Sequence, residues 1–204
     1  MKRPNWFHIS GEGAKAVGAL HHYVTTSTGL PDELIHLVFL RVSQINGCAH
    51  CIDIHTRDLI KGGMSVEKVV LVPVWEEAGY LFTDQERAAL AWAEEVTLVS
   101  QTHASDDAYA AALAVFGEKP LVELTIVIAT MNAINRMGIT HHPGGRSTIV
   151  SLHRQAFVLP EGLRAGLLKS SEFFDVTQRH CAMIRDSRRP QECLPNLPPR
   201  LRRT

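Results

Sequence analysis

Apolar residues recur at intervals of three and four through most of positions 1–140, the spacing of helices with one buried face. No run alternates apolar with polar residues between turn signals, as a half-buried strand would. The pattern predicts an all-α bundle of about seven helices. The first covers roughly residues 12–25 and sets Ala16, Ala19, Leu20 and Tyr23 on one stripe, with Gly29 closing the connection after it. Pro31 suits a first helical turn, and Asp32 and Glu33 complement the positive end of the helix dipole. Ile35, Val38, Phe39, Val42 and Ile45 then mark one inward face up to Asn46-Gly47.

A third helix is expected from about Cys48 to Gly62-Gly63, a carboxy-terminal signal. Ser65 and Lys68, with the run Val69 to Val72, predict a short fourth helix broken by Pro73. Thr83-Asp-Gln-Glu86 is a capping-box pattern, and Ala89, Trp92, Ala93, Val96 and Val99 trace the inner face of the helix it opens. Ser105-Asp106-Asp107 starts a sixth that ends at Gly117, and Pro120 starts the seventh, Leu121 to Met137. That last segment is apolar nearly all round, so it needs cover from other helices or from another subunit. A homo-oligomer is the expectation.

Charge divides the chain where the periodicity decays. Residues 1–142 carry 10 basic and 16 acidic side chains, whereas residues 143–204 carry 11 and 5 and hold six of the ten prolines. This composition predicts a helical domain over 1–142 and a basic, proline-rich extension over 143–204, poorly ordered or loosely packed. Over the whole chain 21 Lys and Arg balance 21 Asp and Glu, so no overall positive field exists to hold nucleic acid or an anionic membrane. No apolar run approaches the ~18 residues of a membrane span, and residues 1–10 lack the apolar stretch of a leader. A cytoplasmic protein without nucleic-acid or membrane partners is expected. Neither a Gly-x-Ser-x-Gly elbow nor a phosphate-binding glycine loop occurs, which argues against hydrolase chemistry and nucleotide cofactors.

Four cysteines are too few for a disulfide scaffold, and only Cys48 and Cys51 are close in sequence. Both lie at the start of the third helix, where a spacing of three puts them on one face within disulfide reach. Free amides and the helix dipole favour thiolates there. His55 follows Cys51 by one turn, so its imidazole can take the thiol's proton. Such a set suits redox chemistry. Cys51, next to His55, would attack a peroxide, and Cys48, nearer the helix tip, would resolve the sulfenic acid and meet an external reductant. Two other readings stay open: the cysteines as small buried apolar residues, or a zinc site completed by His55 and a distant ligand. Trp75, Phe82 and Trp92 read as core aromatics, and Cys181 and Cys193 receive no role.

The stretch Leu40-Arg-Val-Ser-Gln-Ile-Asn-Gly-Cys-Ala-His-Cys-Ile-Asp-Ile-His-Thr-Arg-Asp58 resembles the alkylhydroperoxidase D-like proteins of the carboxymuconolactone decarboxylase superfamily. So do residues 81–94, Leu121-Val-Glu-Leu-Thr125 and Asn132-Ala-Ile-Asn-Arg136. The resemblance, spanning roughly Trp6 to Thr140, implies an all-α bundle assembled into trimers or larger rings. It also implies reduction of hydroperoxides through a cysteine pair recharged by an external dithiol or lipoyl-type partner, with no cofactor or metal. Cys48, Cys51 and His55 fall on the family's redox cysteines and relay histidine. One position departs: His36 stands where members with a full relay carry a glutamate, twelve residues before the first cysteine. An imidazole in place of that carboxylate leaves His36 as either a second relay group or a hydrogen-bonded core histidine, and Glu33 as a distant substitute. The wider superfamily also hosts cofactor-free decarboxylases and lactone-processing enzymes, and a non-catalytic redox sensor would use the same thiols.

Overall fold

The computed structural model describes residues 3–141. Among them every regular element is a helix: α1 (Trp6–Ile9), α2 (Gly11–Thr26), α3 (Asp32–Asn46), α4 (Ala49–Lys61), α5 (Val66–Leu71), α6 (Asp84–Thr97), α7 (Val99–Thr102), α8 (Asp106–Phe116) and α9 (Glu118–Thr140). Two 3₁₀ turns, Val72–Val74 and Gly79–Leu81, connect α5 to α6. The seven long segments expected from the pattern are all present, and α1 and α7 are one-turn additions. The extension expected over 143–204 and the cysteines within it lie outside the described residues.

The breaks follow local chemistry. Gly29 and Gly47 both adopt φ of +74°, a left-handed conformation that glycine takes without the clash a Cβ would bring. Pro73 sits in the 3₁₀ turn that ends α5. At the start of α6 the Thr83 hydroxyl accepts from the Glu86 amide, while the Glu86 carboxylate accepts from the Thr83 amide, a closed capping box.

Helix α3 is the centre of the bundle, packed against α4, α6 and α9. It is buried on two sides rather than along the one face its spacing predicts. Ile35, Val38, Phe39 and Val42 join a core with Ala89, Trp92 and Ala93 of α6 and Leu124, Val127, Ile128 and Met131 of α9. On the opposite side Leu37 and Leu40 meet Leu59 of α4, Val69 of α5, Trp75, Phe82 and Leu90. Each of these fully buried aliphatic side chains contributes roughly 1.5–3 kcal/mol of transfer free energy. Trp92 belongs to the first core and Trp75 and Phe82 to the second, as the reading of all three as core aromatics expects.

One expectation changes. The stripe Ala16, Ala19, Leu20 and Tyr23 of α2 faces outward, and Ala14, Val17, His21, Val24 and Thr28 form the inner row. Tyr23 turns out because its hydroxyl donates to the Glu123 carboxylate at 2.9 Å, and His21 turns in because its ring stacks on Phe39. Helix α9, apolar nearly all round, is packed by α2, α3, α6 and α8 of the same chain, the first of the two kinds of cover expected for it, and leaves Val122 and Ile139 exposed. Among the described residues no helix is long and apolar enough to cross a membrane.

Candidate active site

The site begins at the two-residue turn between α3 and α4. The Cys48 amide donates to the Ser43 carbonyl at 2.9 Å and the Gly47 amide to that of Gln44 at 3.2 Å, a Schellman closure around left-handed Gly47. Cys48 is thereby held as the N-cap of α4, and its carbonyl accepts the first helical bond from Ile52. A side-chain network pins the same corner to α9. Asn46 Nδ2 donates to Asn132 Oδ1 at 2.9 Å and to Asn135 Oδ1 at 3.0 Å, and buried Asn135 donates to the equally buried Ser43 hydroxyl.

A Cβ on residue 47 would meet nothing within 4 Å, so the cost of adding one is conformational alone. Gly47→Ala should lose about 1 kcal/mol of stability through the left-handed φ. Urea denaturation measures this loss, and an unchanged midpoint would mean that the turn tolerates an alanine.

Cys51 occupies the third position of α4, and Cys48 and Cys51 are joined as a disulfide with Cα atoms 5.4 Å apart. The expected pair is present at the helix tip. Both cysteines are almost fully buried, at 3% and 5% exposure, so accessibility does not separate an attacking from a resolving sulfur. Gly138 of α9 faces Cys48, where a Cβ would stand 3.8 Å from its Sγ.

His55 lies one turn beyond Cys51 and is likewise buried, at 5% exposure. Its ring packs against Phe39 with centroids 5.0 Å apart. Burial holds its pKa well below the ordinary 6.5, and His36, His21 and His50 lower it further by mutual repulsion of the charged forms. The imidazole is therefore neutral at pH 7. His21, on the inner row of α2, is lowered to about 4, first by burial and then by His36 and His22.

His36 of α3 meets His55 across the helix pair, Nδ1 to Nδ1 at 3.4 Å. It is a site neighbour, half-buried, and not a core histidine paired elsewhere. Glu33 is exposed and does not replace the missing carboxylate. A carboxylate does stand beside the two rings, from α4: Asp58 Oδ2 lies 3.8 Å from His55 Nδ1 and 3.7 Å from His36 Nδ1. Sequence reasoning passed over Asp58. The spacing His55-x-x-Asp58 puts the two on neighbouring positions of one helix face and was the available signal. His50, between the two cysteines in sequence, is half-buried.

The site thus sets disulfide-paired cysteines on a helix start, a neutral buried imidazole one helical turn on, and a half-exposed histidine and aspartate beside that imidazole. Such a set can exchange two electrons and carry a proton.

The sequence model of the carboxymuconolactone decarboxylase family matches residues 11–95. The uncharacterized protein YdfG of Bacillus subtilis is 31% identical over 138 residues, covering 68% of this chain and 92% of YdfG. A crystal structure of an Agrobacterium tumefaciens protein of unknown function, suggested to be the antioxidant defence protein AhpD, superposes with a TM-score of 0.67. It is 39% identical, and the match covers 71% of this chain and 97% of that one. The debrominase Bmp8, solved as a cysteine-to-alanine variant in complex with 2,3,4-tribromopyrrole, has a TM-score of 0.59 at 17% identity over 73% of this chain and 79% of its own, a likeness of fold. With the family match, the 31% relative and the AhpD-like helical architecture together, the chain belongs to the carboxymuconolactone decarboxylase family.

Proposed function

We propose that the protein is a thiol-dependent peroxidase that reduces hydroperoxides with electrons from an external dithiol. The observation that carries this reading is the Cys48–Cys51 disulfide with His55 one helical turn away. The disulfide is the oxidised end of the cycle. A dithiol or lipoyl-type partner attacks it by thiol exchange and leaves both cysteines reduced.

In the reduced protein the neutral His55 imidazole accepts the Cys51 proton, and the open amides at the start of α4 favour the resulting thiolate. The thiolate attacks the distal peroxide oxygen. The O–O bond breaks, Cys51 becomes a sulfenic acid, and the alkoxide takes the proton back from His55 to leave as an alcohol. Cys48 then attacks the sulfenic sulfur, water departs and the disulfide returns. The balance is one hydroperoxide and one dithiol in, one alcohol, one water and one disulfide out.

His36 and Asp58 link the buried imidazole to solvent, and Asp58 supplies the negative charge that a relay glutamate supplies in other members. A hydroperoxide-consumption assay with dithiothreitol as electron donor tests the function. Consumption of many equivalents of peroxide per chain is the expected result. Loss of two thiols with no further consumption would instead make the pair a sensor.

A further inference from the structure

His36, His55 and Asp58 bring three potential ligand atoms together. Their separations are 3.4 Å between the two Nδ1 atoms, 3.7 Å from His36 Nδ1 to Asp58 Oδ2 and 3.8 Å from His55 Nδ1 to the same oxygen. As hydrogen bonding this is a poor use of three polar groups. The imidazole pair makes one long contact, and the carboxylate stands beyond hydrogen-bonding reach of both rings.

As coordination it is a good one. A circle through the three atoms has a radius of about 2.1 Å, which matches zinc–imidazole and zinc–carboxylate bond lengths. Two imidazoles and a carboxylate are the donor set of open zinc and non-haem iron sites; at the separations seen an ion would lie close to the plane of the three atoms, and a closing of the donors by a few tenths of an ångström would seat it to one side with its remaining positions open. Phe39 touches both rings, at 5.0 Å from His55 and 6.2 Å edge-on from His36, and so fixes their planes. His55 supplies the buried wall, whereas His36 and Asp58 are about one third exposed and give an ion its way in.

We propose that His36, His55 and Asp58 form a binding site for a divalent transition-metal ion, zinc foremost, that uses neither cysteine. The site does not rest on the thiol cycle, because it uses only the placement of these three donors, seen with the disulfide formed. Where the peroxidase reading also holds, the two compete. An ion on His55 Nδ1 leaves the ring's proton on Nε2, and the imidazole can no longer accept one from Cys51.

The test uses the full chain with the Cys48–Cys51 disulfide intact and the other thiols alkylated, so that no thiolate can ligate. Equilibrium dialysis against zinc gives stoichiometry and affinity, and the visible spectrum of the cobalt-loaded protein reports coordination. One ion per chain is expected at micromolar free metal, without sulfur-to-metal charge-transfer bands. His36→Gln and Asp58→Asn should each weaken binding at least about tenfold. Circular dichroism confirms that both variants are folded. Failure to bind, or equal affinity in wild type and both variants, overturns the proposal; the latter would place the ion on other histidines.

Discussion

Cys51→Ser is expected to abolish catalytic consumption of hydroperoxide, whereas Cys48→Ser should complete one turnover and then accumulate a sulfenic acid on Cys51. The asymmetry is expected because the two sulfurs are equally buried and differ in their neighbours. Cys51 lies inside the first turn of α4 with His55 one turn on, while Cys48 is the cap residue, held by the turn and facing Gly138. Only a thiolate attacks the O–O bond, so the sulfur that can lose its proton to the imidazole is the attacking one. Without Cys48 the sulfenic acid has no internal partner, and turnover stops after one equivalent. Mass spectrometry after one equivalent of peroxide distinguishes the variants. Sulfenic acid on Cys48 in the Cys51→Ser protein, formed as fast as in the wild type, would reverse the roles.

His55→Leu should lower kcat/KM for peroxide by roughly two orders of magnitude, the usual scale for removing a positioned proton carrier. The same change should make the protein more resistant to acid. In the folded chain His55 and His21 have pKa values below 6.5, so the unfolded chain binds more protons as pH falls. Stability is therefore complete above about pH 6.5 and declines below it, by on the order of 1 kcal/mol per pH unit for each buried histidine. For His21 the decline extends to about pH 4. Leucine does not titrate, so the variant loses the His55 share of the decline and keeps that of His21. Urea unfolding at pH 7 and pH 5 shows this as a smaller drop than in the wild type. Unchanged kcat/KM would remove His55 from the mechanism, and an unchanged pH slope would mean that its burial does not suppress its protonation. Asp58→Asn keeps the shape but not the charge, and its effect on kcat/KM should be smaller because Asp58 acts through His55.

The helices were largely legible before folding was considered. Gly47, Gly62, Pro73 and the Thr83–Glu86 box act on their own neighbourhoods, and breaks fall at each of them, whereas the break at Leu98 carries no such residue and leaves Val99, expected on the inner face of α6, exposed in α7. The clearest failure was α2. Ranking its faces by apolar content favoured Leu20 and Tyr23, but Tyr23 is amphipathic and reaches Glu123, while His21 stacks on Phe39. An aromatic ring with a polar edge can serve either side, and hydropathy alone does not decide which.

Cys48, Cys51 and His55 lie at the tip and along the first turns of one helix, and a helix turns by about 100° per residue. Their common face was therefore fixed by spacing alone, as was the proximity of Asp58 that the spacing also contained. That His36 meets them depended on how α3 crosses α4, and the seating of His21 against Phe39 depended on how α2 lies on α3. Crossings of this kind are set by side chains far apart in sequence packing into one another's grooves, as Leu37 and Leu40 do with Leu59. Local order set the cysteine pair and His55 on one helix face, and the packing of α3 against α4 brought a second imidazole to His55.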